Sequence, residues 1–249
     1  MSRAEPRARI LRFDSLESTN KKARELAEAG EPEGTVVVAR IQTGGRGRMG
    51  RRWFSPPGGL WFSVVLRPQI PPAQAPVLGL LTGVAVARAL KGLYRLESRL
   101  KWPNDVLIQG KKVCGVLTEL SVRGEILDHV IVGVGINASF PLALLPSELW
   151  ARTTTIQELL GRTIELEPLL YRVVEELDKR YLEFVGGKTR GILEEWRALS
   201  ETLGRKVRVD TLEEAVEGLA EDIDASGALL IKTAKGPVRV MAGDCVHLE

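Results

Sequence analysis

Residues 99–140 constrain the fold of this chain more than any other stretch. They are dense in β-branched and apolar residues, in the runs VLI, KVCGVLTELSV and EILDHVIVGVGINASF. Turn signals at Gln109-Gly110 and Arg123-Gly124 separate the runs. Two-residue turns join antiparallel strands, whereas parallel neighbours need a crossover of about a dozen residues or more. An antiparallel meander is therefore expected here rather than strand–helix–strand units, and the fold class is α+β.

The flanking segments supply the remaining elements. Residues 9–14 (RILRFD) read as a short strand, and Ser18-Thr19-Asn20 opens an amphipathic helix that ends at Gly30. The plain role for Ser18 and Thr19 is an N-cap, since their hydroxyls satisfy free backbone N–H groups. Thr35 to Gln42 and Gly59 to Arg67 read as strands, and Pro76 to Leu96 as a long apolar helix expected at the centre. Thr155-Ile156-Gln157-Glu158 has a capping-box pattern. Helical spacing follows over Pro168 to Phe184 and Ile192 to Leu199. The tail returns to short strands (RKVRVD, GLAEDIDASGALLIK and PVRVMAGDCVHL), with turn signals frequent enough for a small β-barrel or SH3-like module. Residues 201–249 carry six lysines and arginines against ten acids, although the whole chain has a net charge of +3. That break divides the chain into residues 1–200 and 201–249.

Between the second and third expected strands lies QTGGRGRMGRRW, from Gln42 to Trp53. It holds Arg46, Arg48, Arg51 and Arg52 among four glycines. Glycines favour a loop here, and each guanidinium offers a planar fork of donors to phosphate or carboxylate oxygens. Nine lysines and arginines and no acid fall between Glu33 and Glu97, so no local acid neutralises the loop and an anion is the expected partner. A solvated basic loop is the plain alternative. Gly45-x-Gly47-x-x-Gly50 matches the dinucleotide fingerprint literally. That motif needs a following helix and an acid about 20 residues on, and RRWFSPP supplies neither.

Several function classes are excluded. MSRAEPRARI has no apolar core of a signal peptide, and the run Val77 to Ala87 is too short to span a bilayer. The two cysteines, Cys114 and Cys245, make neither a disulfide framework nor a zinc cluster, which fits a reducing cytoplasm. No helix-turn-helix, zinc finger or aromatic-basic platform accompanies the pI of about 8.9. With only His129 and His247, histidine-based acid–base catalysis is not expected.

Three further segments sit where they can assemble with the loop: Lys101-Trp102-Pro103-Asn104-Asp105, Gly115-Val116-Leu117-Thr118-Glu119 and Gly133-Val134-Gly135-Ile136-Asn137. Singly, Lys101 reads as a strand end, Trp53 and Trp102 as core, and Asn104 or Asn137 as turn caps. Together and in order, STN, GRGRMGRRW, KWPND, GVLTE and GVGIN resemble the biotin protein ligases, over the whole chain. The resemblance implies the catalytic fold shared with lipoate ligases and related to class II aminoacyl-tRNA synthetases, with a mixed or antiparallel sheet, flanking helices and a small C-terminal SH3-like barrel. Longer members carry a DNA-binding winged helix before the STN segment. Only 17 residues precede Ser18 here, so a monofunctional ligase without specific DNA binding is expected.

The implied reaction joins biotin to ATP, with Mg²⁺, giving biotinyl-5′-AMP and pyrophosphate. A lysine of a biotin carboxyl carrier domain then displaces AMP. By the same resemblance, Ser18, Thr19, Asn20, Gln42, Gly45, Arg46, Lys101, Gly115 and Leu117 would meet biotin. Arg48, Arg51, Trp53, Lys101, Asn104 and Asn137 would meet ATP, with Trp53 stacking on adenine. Lys101, Arg48 and Arg46 would carry the catalysis, and the metal ligands are not identified. The loop is expected to be ordered by ligand. Many relatives place an arginine in the last strand; this chain has Leu248 or Glu249 near that place, so no nucleotide contact carries over to the C-terminal module. A homodimer is the family's habit. Lipoate or octanoate ligation on the same fold, and a non-catalytic module binding nucleic acid or acidic protein, are the alternatives.

Overall fold

The computed structural model describes residues 9–124 and 126–248. The expectation about the segment MSRAEPRA falls outside them, as does Glu249.

The expected meander forms half of a seven-stranded sheet. Its strands are β1 (Ile10–Leu16), β2 (Val36–Gln42), β3 (Leu60–Leu66), β4 (Arg99–Lys101), β5 (Asp105–Ile108), β6 (Lys111–Arg123) and β7 (Ile126–Ile136). Their order is β1-β2-β3-β7-β6-β5-β4. Only β1 and β2 run parallel, joined by the crossover helix α1 (Thr19–Glu28), so the sheet is mixed. The β5–β6 turn is tight because both Gln109 and Gly110 take positive φ, 52° and 75°.

Side chains of the central strand β3 alternate between two environments, as its pleat requires. Leu60, Phe62, Val64 and Leu66 join the main core beneath α2 (Pro76–Tyr94). Trp61, Ser63 and Val65 take the other parity, with Val65 in the cluster that includes Ala23 and Ala27 of α1. Behind α2 pack α4 (Leu166–Val185) and α5 (Thr189–Leu199), while α3 (Ile156–Leu160) is a short capped helix. Thr155 accepts from Glu158 N–H at 3.2 Å, the first half of the expected capping box. The 23-residue segment 72–94 is long and apolar enough to cross a bilayer by composition, contrary to the estimate from residues 77–87 alone. Its burial, 78% of the most apolar window, makes it a core helix instead.

The tail forms a separate antiparallel five-stranded sheet. It is built from β8 (Lys206–Asp210), β9 (Ala215–Ile223), β10 (Leu229–Thr233), β11 (Gly236–Val240) and β12 (Asp244–His247), in the order β11-β10-β9-β8-β12. Trp102 anchors it to the larger sheet. Its backbone N–H donates to Thr202 Oγ1 at 2.9 Å, and its indole Nε1 donates to the Gly227 carbonyl at 3.0 Å. Trp102 is buried, which agrees with its plain role as core.

Candidate active site

A pocket of about 460 Å³ opens on the α1 side of the larger sheet, bounded also by the 42–53 loop and by β12. Its floor is glycine. Gly115 of β6 and Gly135 of β7 are register partners, and Gly133 pairs with Leu117 one step along. Any side chain there would fill the site. A Cβ on Gly133 would overlap the Asn20 amide, and one on Gly115 would lie 2.9 Å from the Trp53 ring.

The polar end is set by α1. Ser18 is the N-cap and accepts from Lys21 N–H at 3.5 Å, so the plain reading of that residue holds while the residue also lines the pocket. Thr19 N–H donates to Gln42 Oε1 at 2.8 Å, and Gln42 Nε2 donates to Ser55 Oγ at 2.8 Å. Ser63 Oγ, fully buried on β3, lies 2.8 Å from Thr19 Oγ1 and 2.6 Å from Asn20 Oδ1. Asn20 Nδ2 donates to Glu119 Oε2 at 2.7 Å and reaches the Leu117 carbonyl at 3.4 Å.

The arginine loop is a folded hairpin. Trp53 N–H donates to the Gly45 carbonyl at 2.9 Å and Gly47 N–H to the Arg51 carbonyl at 2.7 Å. Its tip turns through Met49 and Gly50, with φ of 53° and 73°. Gly45 is buried inside the hairpin, where a Cβ would lie 2.9 Å from Ser55 Oγ. No local acid neutralises the loop, but two acids distant in sequence reach it. Arg46 faces Glu17 at 3.5 Å, and Arg51 meets Asp244 at 2.8 Å. Both acids come from outside the acid-free window, brought in by tertiary folding. Arg48 is the withdrawn member: burial, opposed by Asp105 and reinforced by Arg51, lowers its pKa from the usual arginine value.

Trp53 lies over the glycine pair, edge-on to Trp61 with ring centroids 6.3 Å apart. Lys112 Nζ sits 5.0 Å above its ring centroid and 2.6 Å from Asp105 Oδ1. Leu145 and Leu149 continue this apolar wall.

All the expected site residues line this pocket except Gly45, which sits inside the loop that borders it. Lys101 stands toward β12, among Cys245 and His247. Asn104 Nδ2 donates to the Val116 carbonyl at 2.8 Å and Asn137 Nδ2 reaches the Lys112 carbonyl at 3.5 Å, so both side chains tie to β6 rather than cap local turns. The sequence left the contribution of the C-terminal strand open; Asp244, Cys245, Val246 and His247 all line the pocket. The family's terminal arginine position is not the only way that strand can reach the site. Ser63, Lys112 and Asp244 were not singled out from the sequence, and Asp105 only as the last residue of KWPND, with no role assigned.

Residues 12–137 match the biotin/lipoate A/B protein ligase family, and residues 202–248 match the biotin protein ligase C-terminal domain. The bifunctional ligase/repressor BirA of Bacillus subtilis is 37% identical over 236 residues, which are 94% of this chain and 73% of that protein. The biotin–[acetyl-CoA-carboxylase] ligase of Mycobacterium tuberculosis is 34% identical, over 90% of this chain and 82% of its own length. Among solved structures, the biotin protein ligase from Aquifex aeolicus in complex with biotin and ATP superposes with a TM-score of 0.81 at 31% identity, covering 96% of this chain and 98% of that one. A glycine-floored, arginine-rimmed pocket thus coincides with the matched region, and the chain belongs to the biotin protein ligases of the biotin/lipoate A/B protein ligase family.

Proposed function

We propose that this protein attaches biotin to a lysine of a carboxylase acceptor domain in two steps at this pocket. Biotin's carboxylate attacks the α-phosphorus of ATP and expels pyrophosphate, giving biotinyl-5′-AMP. The acceptor amine then attacks the acyl carbon and releases AMP. The observation that carries this is the concentration of Arg46, Arg48, Arg51, Lys101 and Lys112 around a glycine floor with a polar rim at one end. The first step brings a carboxylate to a polyanion, and fixed cations offset that repulsion as charge develops.

Lys112 is assigned the place beside the reacting carboxylate and α-phosphate that the family resemblance assigns to Lys101, because its Nζ stands over the glycine floor. Lys101, Arg48 and Arg51 would take the other phosphate oxygens. The purine would rest against Trp53, Leu145 and Leu149, and Arg46 with Gln42 would close over biotin. Asp105 and Asp244 are the carboxylates among the described lining residues, each already paired with a cation. No group of three metal-binding side chains gathers among the described residues. Mg²⁺ would therefore arrive with the triphosphate, its shell filled largely by phosphate oxygens and water, and would neutralise charge there.

The rim of Ser18, Thr19, Asn20 and Gln42, backed by the buried Ser63, favours a head group with N–H and C=O over the apolar dithiolane of lipoate. The larger sheet is taken as class II synthetase-like over residues 1–200 and the tail as an SH3-like barrel over 201–249. Cytoplasmic residence and a homodimer complete the proposal. Biotin and ATP together should raise the melting temperature more than either alone. Equal shifts with and without the partner ligand would favour a simple binding module.

A further inference from the structure

Glu119 lies outside the pocket lining, yet it is bonded to the residue that organises the polar rim. Its Oε2 accepts from Asn20 Nδ2 at 2.7 Å, and its Oε1 is 2.8 Å from Arg24 Nη2, one turn along α1 from Asn20. The Asn20 amide nitrogen thus faces two acceptors, Glu119 and the Leu117 carbonyl, and its oxygen must face Ser63. A hydroxyl has one proton. Ser63 directs it to Asn20 Oδ1 at 2.6 Å, so at the 2.8 Å contact with Thr19 Oγ1 the Ser63 oxygen can only accept. Gln42 Oε1 accepts from Thr19 N–H at 2.8 Å and lies 3.1 Å from Thr19 Oγ1, so the single Thr19 proton goes to Ser63 or to Gln42, in either case inside the protein. Lone pairs of Thr19 Oγ1 then remain for the pocket.

We propose that Glu119 is a positioning residue that fixes the sense of the chain Glu119–Asn20–Ser63–Thr19, so that Thr19 presents an acceptor to an N–H of the substrate. A carboxylate is suited to this because it can only accept when ionised. Resting on the biotin reading, the inference makes the cyclic urea N–H the recognised group. With the chain reversed, Ser63 would donate to Thr19 Oγ1 and occupy a lone pair that the substrate N–H needs.

The test is steady-state kinetics of Glu119→Gln. A glutamine offers one acceptor and one donor group against two donors, Arg24 and Asn20, so the Asn20 amide nitrogen is left with the longer 3.4 Å bond to the Leu117 carbonyl as its one assured acceptor. KM for biotin should rise about tenfold, with kcat and KM for ATP within about twofold. Arg24→Gln removes the same ion pair but leaves the acceptor, and should leave KM for biotin unchanged. Thr19→Val should raise KM for biotin, and adding Glu119→Gln to it should cost nothing more. Should Glu119→Gln fold poorly, Glu119→Asp, which withdraws the carboxylate by one methylene, is expected to shift KM the same way. Unchanged KM for biotin, a parallel loss of kcat, or full additivity with Thr19→Val would overturn the role. Failure of the wild type to use biotin at all would instead sink the functional proposal beneath it.

Discussion

The indole of Trp53 lies against the backbone of Gly135: a Cβ on that glycine would come 2.5 Å from Trp53 Nε1. The ring therefore occupies its place because the sheet has no side chain there. Gly135→Ala should push Trp53 off the floor at a cost of about 1–3 kcal/mol, the usual range for overpacking. The expected readout is a raised KM for ATP with the fold retained by circular dichroism. Normal ATP kinetics in Gly135→Ala would show that Trp53 does not set the nucleotide subsite.

Lys112 stands over the glycine floor, whereas Lys101 lies near Cys245 and His247 of β12. Lys112→Ala is expected to slow adenylate formation by about 10²–10³-fold, the range for losing one preorganised charge-stabilising donor. Lys101→Ala should slow the same step, but less. Single-turnover formation of biotinyl-AMP ranks the two directly. A larger loss at Lys101 would return the central role to it.

Arg48 is the loop arginine whose charge is most withdrawn from solvent, near Asp105 and Asp244. The role proposed for its guanidinium is to hold the phosphate of a bound adenylate. Arg48→Gly should release biotinyl-AMP at least about tenfold faster, a loss of roughly 1.4 kcal/mol of retention. The released mixed anhydride would then label lysines of bystander proteins. Strict acceptor specificity with normal retention in this variant would remove Arg48 from that role.

His247 closes the β12 wall, half-buried, with Nε2 placed 3.1 Å from Thr202 Oγ1. Burial, together with the nearby charges of Lys101 and Arg205, drops its pKa from 6.5 to about 4. The unfolded chain then binds the proton between those values and the folded protein does not, so stability falls as pH drops from 6.5 toward 4 and levels below. His247→Gln should flatten the denaturation midpoint over that window. An unaltered pH slope would show that other groups govern it.

Much of this was legible in the sequence, for identifiable reasons. The tight turns at Gln109-Gly110 and Gly124 fixed strand direction locally, and the loop from Gln42 to Trp53 announced an anion through arginines and glycines a few residues apart. Ser63 was hidden because it sits alone in the apolar strand LWFSVVL, where a serine reads as a tolerated core residue. Lys112 looked like a solvated lysine beside a turn, and only the fold carries it over Trp53. Asp244 and Glu17 lie far from the loop in sequence, so the ion pairs that hold Arg51 and Arg46 have no local signature. The bonds between Trp102 and the tail, to Thr202 and Gly227, are likewise long-range.

Pyrophosphate–ATP exchange, run separately with biotin, lipoate and octanoate in the presence of Mg²⁺, tests the central claim most directly. Exchange should depend on biotin and be lost in Lys112→Ala. Exchange driven by lipoate or octanoate, or none from folded protein with any of the three acids, would contradict it.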